Sequence, residues 1–269
     1  MRGTEEGMEF ETILLKKTDG VGTIQLNRPQ TLNPLNMRCF TEITRAVEDL
    51  SGDPRIRSVI LAGTGKAFSA GGDIKEIESF SPQDALVFRD FMLEVKKAIL
   101  CLRELAKPVI TAVNGLAYGA GFSLALAGDV ILASEDAKFC QVFVRVGLVP
   151  DAGSTFFLPR LIGTARAFPL IFLGEPIGAK EAESLGMVSK VVPAANLDEE
   201  AMNLAQKLAQ GPTRAMGLAK KLVYAGLEKT LAEQLDDEAS IQVLCSMTQD
   251  HREGIRAFKE KRTPQFQGK

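Results

Sequence analysis

The sequence predicts a mixed α/β fold with parallel strands, followed by an all-helical C-terminal part. Short apolar runs such as "RSVILAG" (57–63) and "PVITAV" (108–113) alternate with longer amphipathic stretches, as in a buried parallel sheet connected by helices. After about Val192 the strand-like runs stop and helical periodicity takes over. The chain has 269 residues, 45% hydrophobic and 25% charged, enough for one large domain or a main domain with an appendage.

The elements follow in order. A tail precedes Met8, and "MEFETILLKK" opens the first strand. "TILLKKT" (12–18) and "VGTIQLN" (21–27) read as strands joined by the turn Asp19-Gly20. "RPQTLNPLN" is a loop, and Leu35 to Leu50 is an amphipathic helix. A buried strand at 57–63 precedes a long helix from Ala85 to Ala106, and 108–113 is the next strand. "GAGFSLALAG" (119–128) is a short helix of small residues, followed by the strand "DVILAS" (129–134). Three helical patterns begin at Asn196, Pro212 and Glu228, with Gly211-Pro212 as punctuation. Their apolar stripes require cover from the core or from another subunit.

Composition excludes several functions. A formal net charge of −2 disfavours a nucleic-acid surface. Cys39, Cys101, Cys140 and Cys245 form no CxxC pair, and with a single histidine a metal site is not expected. Scattered unpaired cysteines and the lack of a signal-like or membrane-length apolar run suggest a reduced, cytoplasmic protein. A Ser-His-Asp triad would have to use His251, which lies in the charged helical stretch "TQDHREGIRAFKEKR" and reads as solvated.

Two glycine loops resemble nucleotide motifs and fail them. "GTGKAFSAGGD" lacks the first glycine and the Ser/Thr of a P-loop, and "GAGFSL" has Leu124 where a dinucleotide fingerprint needs its third glycine. Each loop instead leaves a buried strand and enters a helical segment through small residues, Gly71-Gly72 and Gly119-Ala120-Gly121. Backbone N–H groups at such places are open to a ligand and carry partial positive charge. Two of them converging would form an oxyanion hole; taken singly, each loop reads rather as a tight turn, and only the pair together with an acid-bearing third loop brings the two readings level.

Those loops carry a family resemblance that extends over nearly the whole chain. "GTIQLNRPQTLNPLN", "GTGKAFSAGGDIKEI", "KPVITAVNGLAYGAGFSLALAGDVILASEDAKF", "GMVSKVVP" and "REGIRAFKEKRTPQF" together resemble the crotonase superfamily, the enoyl-CoA hydratase/isomerase family. The resemblance implies a spiral of repeated ββα units in residues 1–195 and a helical trimerisation region in residues 196–269. It implies an acyl-CoA thioester substrate, a homotrimer or a hexamer built as a dimer of trimers, and no cofactor beyond the coenzyme A of the substrate. By motif position the oxyanion donors would be Gly72 and Ala120, with alanine where glycine is usual. Coenzyme A would be met by Arg28, by Ala70, and by Phe258 and Lys261, the last two from a neighbouring subunit if the helices reach across.

The same resemblance bears on the reaction. A hydratase of this family uses two glutamates; their positions here hold Ser123 and Phe143, neither able to serve as a general base. Asp151, in "GLVPDAGSTFFLPRLIG", resembles the acid of the isomerase branch. One carboxylate suffices to move a double bond, taking a proton from C2 and returning one to C4. Apolar neighbours such as Phe143, Val149 and Phe156 would raise its pKa. Read from the residues alone, the alternative is that Asp151 is an N-cap for the helix that follows, and a cap and a base can be the same residue. The expected activity is therefore Δ3-Δ2-enoyl-CoA or phenylacetate-pathway-like isomerisation. Hydration of an unusual or cyclic enoyl-CoA, a dehalogenase-like attack through Asp151, and weak acyl-CoA binding without turnover are the alternatives. Asp73 is expected to cap a helix, Glu135 and Asp136 to be solvated, and Phe88 and Met92 to wall an acyl pocket or simply pack.

Overall fold

The computed structural model describes residues 9–80 and 85–269; the expected tail before Met8 lies outside the described residues. The hairpin expected around Asp19-Gly20 forms from β1 (Ile13–Thr18) and β2 (Val21–Leu26), antiparallel, with Asp19 and Gly20 both at positive φ. β3 (Ser58–Gly63), β5 (Val109–Val113), β7 (Val130–Ser134) and β10 (Lys190–Val192) add in parallel, giving a six-stranded sheet in the order β1-β2-β3-β5-β7-β10.

A second, four-stranded sheet is built from β4 (Ala67–Ser69), β6 (Leu116–Tyr118), β8 (Lys138–Cys140) and β9 (Ile177–Gly178). From β3 to β8 successive strands alternate between the two sheets, so the chain winds there as repeated ββα turns. The strands of the smaller sheet are two or three residues long, too short to show a period in sequence. Only the family resemblance pointed to them.

The central strands β3, β5 and β7 of the larger sheet are buried on both faces, which explains their continuous apolar runs. Val59, Leu61, Val109 and Val113 point into the main core with Phe40, Phe68, Phe122 and Phe139. Their neighbours Ile60, Ala62, Ile110 and Ala112 pack on the opposite face against Leu197, Ala201 and Ala205 of α8 (Leu197–Ala209). Burying each of the larger aliphatic side chains contributes roughly 1.5–3 kcal/mol. α8 thus closes the open face of the sheet.

α1 (Met37–Gly52) starts two residues later than its apolar pattern, because Asn36 caps it by accepting the Cys39 N–H at 2.9 Å. Phe40, Ile43, Val47 and Leu50 form its buried stripe. α3 (Ala85–Glu104) packs along it and leads into β5. The C-terminal helices α9 (Thr213–Gly226), α10 (Leu231–Ser246) and α11 (Gln249–Glu260) follow as expected. α10 buries no residue within this chain, and Leu231, Leu235, Val243 and Leu244 are exposed on it.

Candidate active site

The two glycine loops come together. β4 ends at Ser69, and β6, its parallel neighbour, ends at Tyr118, so the sheet delivers both loops to the same edge. The approach is close enough to require glycine. A Cβ on Gly71 would stand 2.8 Å from the Tyr118 carbonyl oxygen and 3.7 Å from the Ala120 nitrogen, and Gly71 has φ +104°. A Cβ on Gly121 would stand 2.7 Å from the Ser69 carbonyl oxygen.

Around Gly72 the backbone is used on both sides: Leu35 N–H donates to the Gly71 carbonyl, and Asp73 N–H donates to the Leu35 carbonyl. The Gly72 N–H itself has no acceptor among the described residues. Ala120 is the first residue of α4 (Ala120–Ala125), so its N–H is one of the donors a helix start leaves unpaired, and none of the described residues accepts it. The expected donors therefore lie on adjoining loops with their hydrogen-bonding capacity unspent.

Asp151 occupies a turn after the third strand pair. Its side chain caps nothing: α5 (Ser154–Ile162) has Gly153 as N-cap, and the Ser154 N–H donates to the Asp151 backbone carbonyl at 2.9 Å. That removes the capping alternative. Two consecutive residues in the left-handed region, Ala152 (φ +47°) and Gly153 (φ +83°), turn the chain there. Such a conformation is strained for alanine. The carboxylate is largely withdrawn from water, and its Oδ1 is buried without a hydrogen-bond partner. Burial pushes its pKa up to about 6, only partly opposed by its own backbone N–H. Val149 has no part in that burial, since it is 79% exposed; the sequence expectation is corrected there.

The two positions of the missing glutamates are closed to water. Ser123 is fully buried, its hydroxyl donating to the Gly119 carbonyl at 3.2 Å. Phe143 is buried, and its ring lies 3.8 Å from where a Cβ on Gly119 would be. Neither supplies a proton carrier.

The coenzyme A residues divide into two groups. Arg28 and Ala70 sit beside the first loop. The Arg28 guanidinium pairs with Asp73 at 2.8 Å and donates to the Pro34 carbonyl at 2.9 Å, and Ala70 N–H donates to the Leu32 carbonyl. Asp73 also caps α2 (Ile74–Ser79) through the Lys75 N–H, as expected. Phe258, 85% exposed, and Lys261 lie at the end of α11. His251 is exposed on the same helix, and Glu135 and Asp136 are exposed in their turn. Among the described residues no cluster of three or more His, Cys, Asp or Glu could hold a metal ion.

Asn33, Gln141 and Ser154 were not singled out from sequence. Asn33 is 1% exposed at φ +55°, a conformation asparagine tolerates, and its amide donates to the carbonyls of Thr64 and Ala67 at 2.8 Å. It thereby knits the "NRPQTLNPLN" loop to the first glycine loop. Gln141 and Ser154 are fully buried and joined at 2.6 Å, tying the start of α5 to the segment after β8. Nothing in sequence marks a buried polar pair formed between separate segments.

Beside the Asp151 turn is a cavity of about 870 Å³ walled by Ala152 and Gly153, Phe156 and Phe157 of α5, Met92 of α3, and residues of α9. Met92 therefore lines a cavity. Phe88 packs instead with Phe80 and Phe91, ring centroids 5.5 and 6.2 Å away.

The chain thus combines a two-sheet ββα spiral, two adjoining loops with unspent N–H donors, and a carboxylate with one buried oxygen at a neighbouring turn. The enoyl-CoA hydratase/isomerase family model matches residues 16–269, and the chain belongs to that family, the crotonase superfamily. It is similar to a 1,2-epoxyphenylacetyl-CoA isomerase of Escherichia coli, 40% identical over 97% of this chain and 100% of that protein. It is also similar to a mitochondrial enoyl-CoA hydratase of Pongo abelii, 38% identical over 97% of this chain and 89% of that one. The crystal structure of an enoyl-CoA hydratase from Bacillus anthracis superimposes with a TM-score of 0.91 at 36% identity, covering 96% and 100% of the two chains. Relatives of similar identity thus carry both reaction names.

Proposed function

We propose that this enzyme is an acyl-CoA isomerase that shifts a double bond with Asp151 as its only acid/base and with Gly72 and Ala120 N–H as the oxyanion hole. The observation that carries the reading is the non-capping carboxylate of Asp151, largely withdrawn from water, with Oδ1 buried without a hydrogen-bond partner and a pKa of about 6. A group with that pKa is ionised at neutral pH, yet basic enough to take a C2 proton acidified by the thioester. The two N–H donors stabilise the enolate, each worth about 2.7–4 kcal/mol. The same carboxyl then returns the proton to C4, and no water enters the balance.

Ser123 and Phe143 support isomerisation over hydration, because a hydratase needs a second proton carrier to position and split water. The cavity beside the Asp151 turn is the place for the acyl group, and Arg28, Ala70, Phe258 and Lys261 would meet coenzyme A. The exposed apolar residues of α10 suit a trimer or hexamer.

The test is turnover of 3-enoyl-CoA and 2-enoyl-CoA thioesters followed by product mass spectrometry. The isomerase conserves mass, and Asp151→Asn abolishes turnover while leaving CoA-thioester affinity intact. A product heavier by one water in the wild type, or full activity in Asp151→Asn, overturns the reading.

A further inference from the structure

The cavity beside Asp151 is apolar along most of its wall, with Met92, Ile99, Phe156 and Phe157 among its lining. One group in it does not fit an apolar ligand. Arg103, near the end of α3, lines the cavity with its guanidinium packed on the Tyr224 ring, 3.4 Å from the centroid, and 4.7 Å from that of Phe157. Packing by its faces leaves the N–H edge of a guanidinium for an acceptor. No described residue hydrogen-bonds or ion-pairs with Arg103, and burial pushes its pKa below the ordinary value.

The nearby anion is already spent. Asp129 accepts the Tyr224 hydroxyl at 2.5 Å, the Lys220 ammonium at 2.8 Å and the Val109 N–H at 2.8 Å. Lys220 is satisfied there and by the Leu102 carbonyl. The lining carries Lys96, Arg103, Lys220 and Lys221 against Glu104 and Glu228, so even with Asp129 counted the balance is positive. A half-buried guanidinium whose N–H groups have no acceptor is costly, even with Asp129 near enough to attract it, and a ligand carboxylate offers it a bidentate partner.

We infer that Arg103 is a specificity-determining residue, and that the cavity receives the far end of an acyl group terminating in a carboxylate. The inference rests on the reading of this cavity as the acyl site, and it names the substrate class: CoA thioesters of dicarboxylic acids, with the second carboxylate held by Arg103. A methyl-ended chain of the same length leaves the guanidinium desolvated and unpaired.

Binding tests this independently of the reaction. Saturated, unreactive acyl-CoA thioesters in matched pairs, one ending in methyl and one in carboxylate, are titrated calorimetrically into the full-length protein over a series of chain lengths. At the best length the carboxylate-ended member binds roughly ten- to a hundredfold tighter. Arg103→Met removes the preference and Arg103→Lys restores part of it. Leu100→Glu, exposed and three residues before Arg103 on the same helix, supplies an internal carboxylate and also removes the preference, which guards against misfolding of the Met variant. Equal affinity within every pair in the wild type, or an unchanged ratio in Arg103→Met and Leu100→Glu, overturns the inference. If methyl-ended thioesters bind and isomerise while the ratio stays at one, the specificity fails and the proposed reaction stands. If the ratio holds and products gain water, the reaction fails and Arg103 keeps its role.

Discussion

Asp151→Asn separates the chemistry of the carboxylate from its burial. The folded-state pKa is about 6 against an ordinary value of 3.8, a rise of about 2 units. At 1.36 kcal/mol per unit, ionising this buried group costs the folded state about 3 kcal/mol. The sign follows from the direction of the shift. Below pH 3.8 the group is protonated in both states and costs nothing. As pH rises towards 6 the unfolded chain ionises and the folded one resists, so stability is lost, and above about pH 7 the full cost is present. Asparagine keeps the shape without the charge. The variant is therefore expected to be more stable than the wild type by about 3 kcal/mol at pH 8, with roughly half of that gain appearing between pH 5 and 8. Urea unfolding of both proteins across that range measures it, and kcat/KM of the wild type is expected to rise with pH through an apparent pKa near 6. A stability difference independent of pH would refute the assignment of a raised pKa, whatever happened to activity.

Three other perturbations follow from the same geometry. Gly71→Ala forces a Cβ to within 2.8 Å of the Tyr118 carbonyl at φ +104°; displacing the loop proposed to supply the oxyanion hole is expected to lower kcat/KM at least a hundredfold, and unchanged turnover would contradict a hole at this contact. Glu42 is buried; desolvation raises its pKa, but the Thr12 hydroxyl and the N–H groups of Glu11 and Thr12 outweigh that and hold it below the ordinary 4.5. Its stabilisation is present above pH 4.5 and lost on acidification, so Glu42→Gln should cost about 1–3 kcal/mol at pH 7 and progressively less below 4.5 in urea melts. Lys107 donates to the carbonyls of Leu50, Ser51 and Asp53 at the end of α1; Lys107→Met should cost about 1–2 kcal/mol in the same assay, and no loss would mean those carbonyls are as well served by water.

The sequence by itself determined the parallel sheet, the helical C-terminal part and the family. Apolar runs such as "SVILAG" can be satisfied only by burial on both faces, and the glycine loops have a composition that few folds share. It also placed Asp151 as the one acid at a plausible position. It left open whether Asp151 caps a helix or carries a proton, because both roles favour the same residue at the same place. Tertiary structure excludes the side-chain cap, through the left-handed pair Ala152-Gly153, which moves the cap to Gly153 and leaves a carboxylate oxygen buried with no donor. It likewise corrected Val149, whose side chain faces solvent, and exposed Asn33, the Gln141–Ser154 pair and the unpaired edge of Arg103. Those features depend on which distant segments meet. Desolvation and hydrogen-bond satisfaction are properties of a surrounding, and a surrounding is assembled only when the strands of the two sheets bring their loops to one edge.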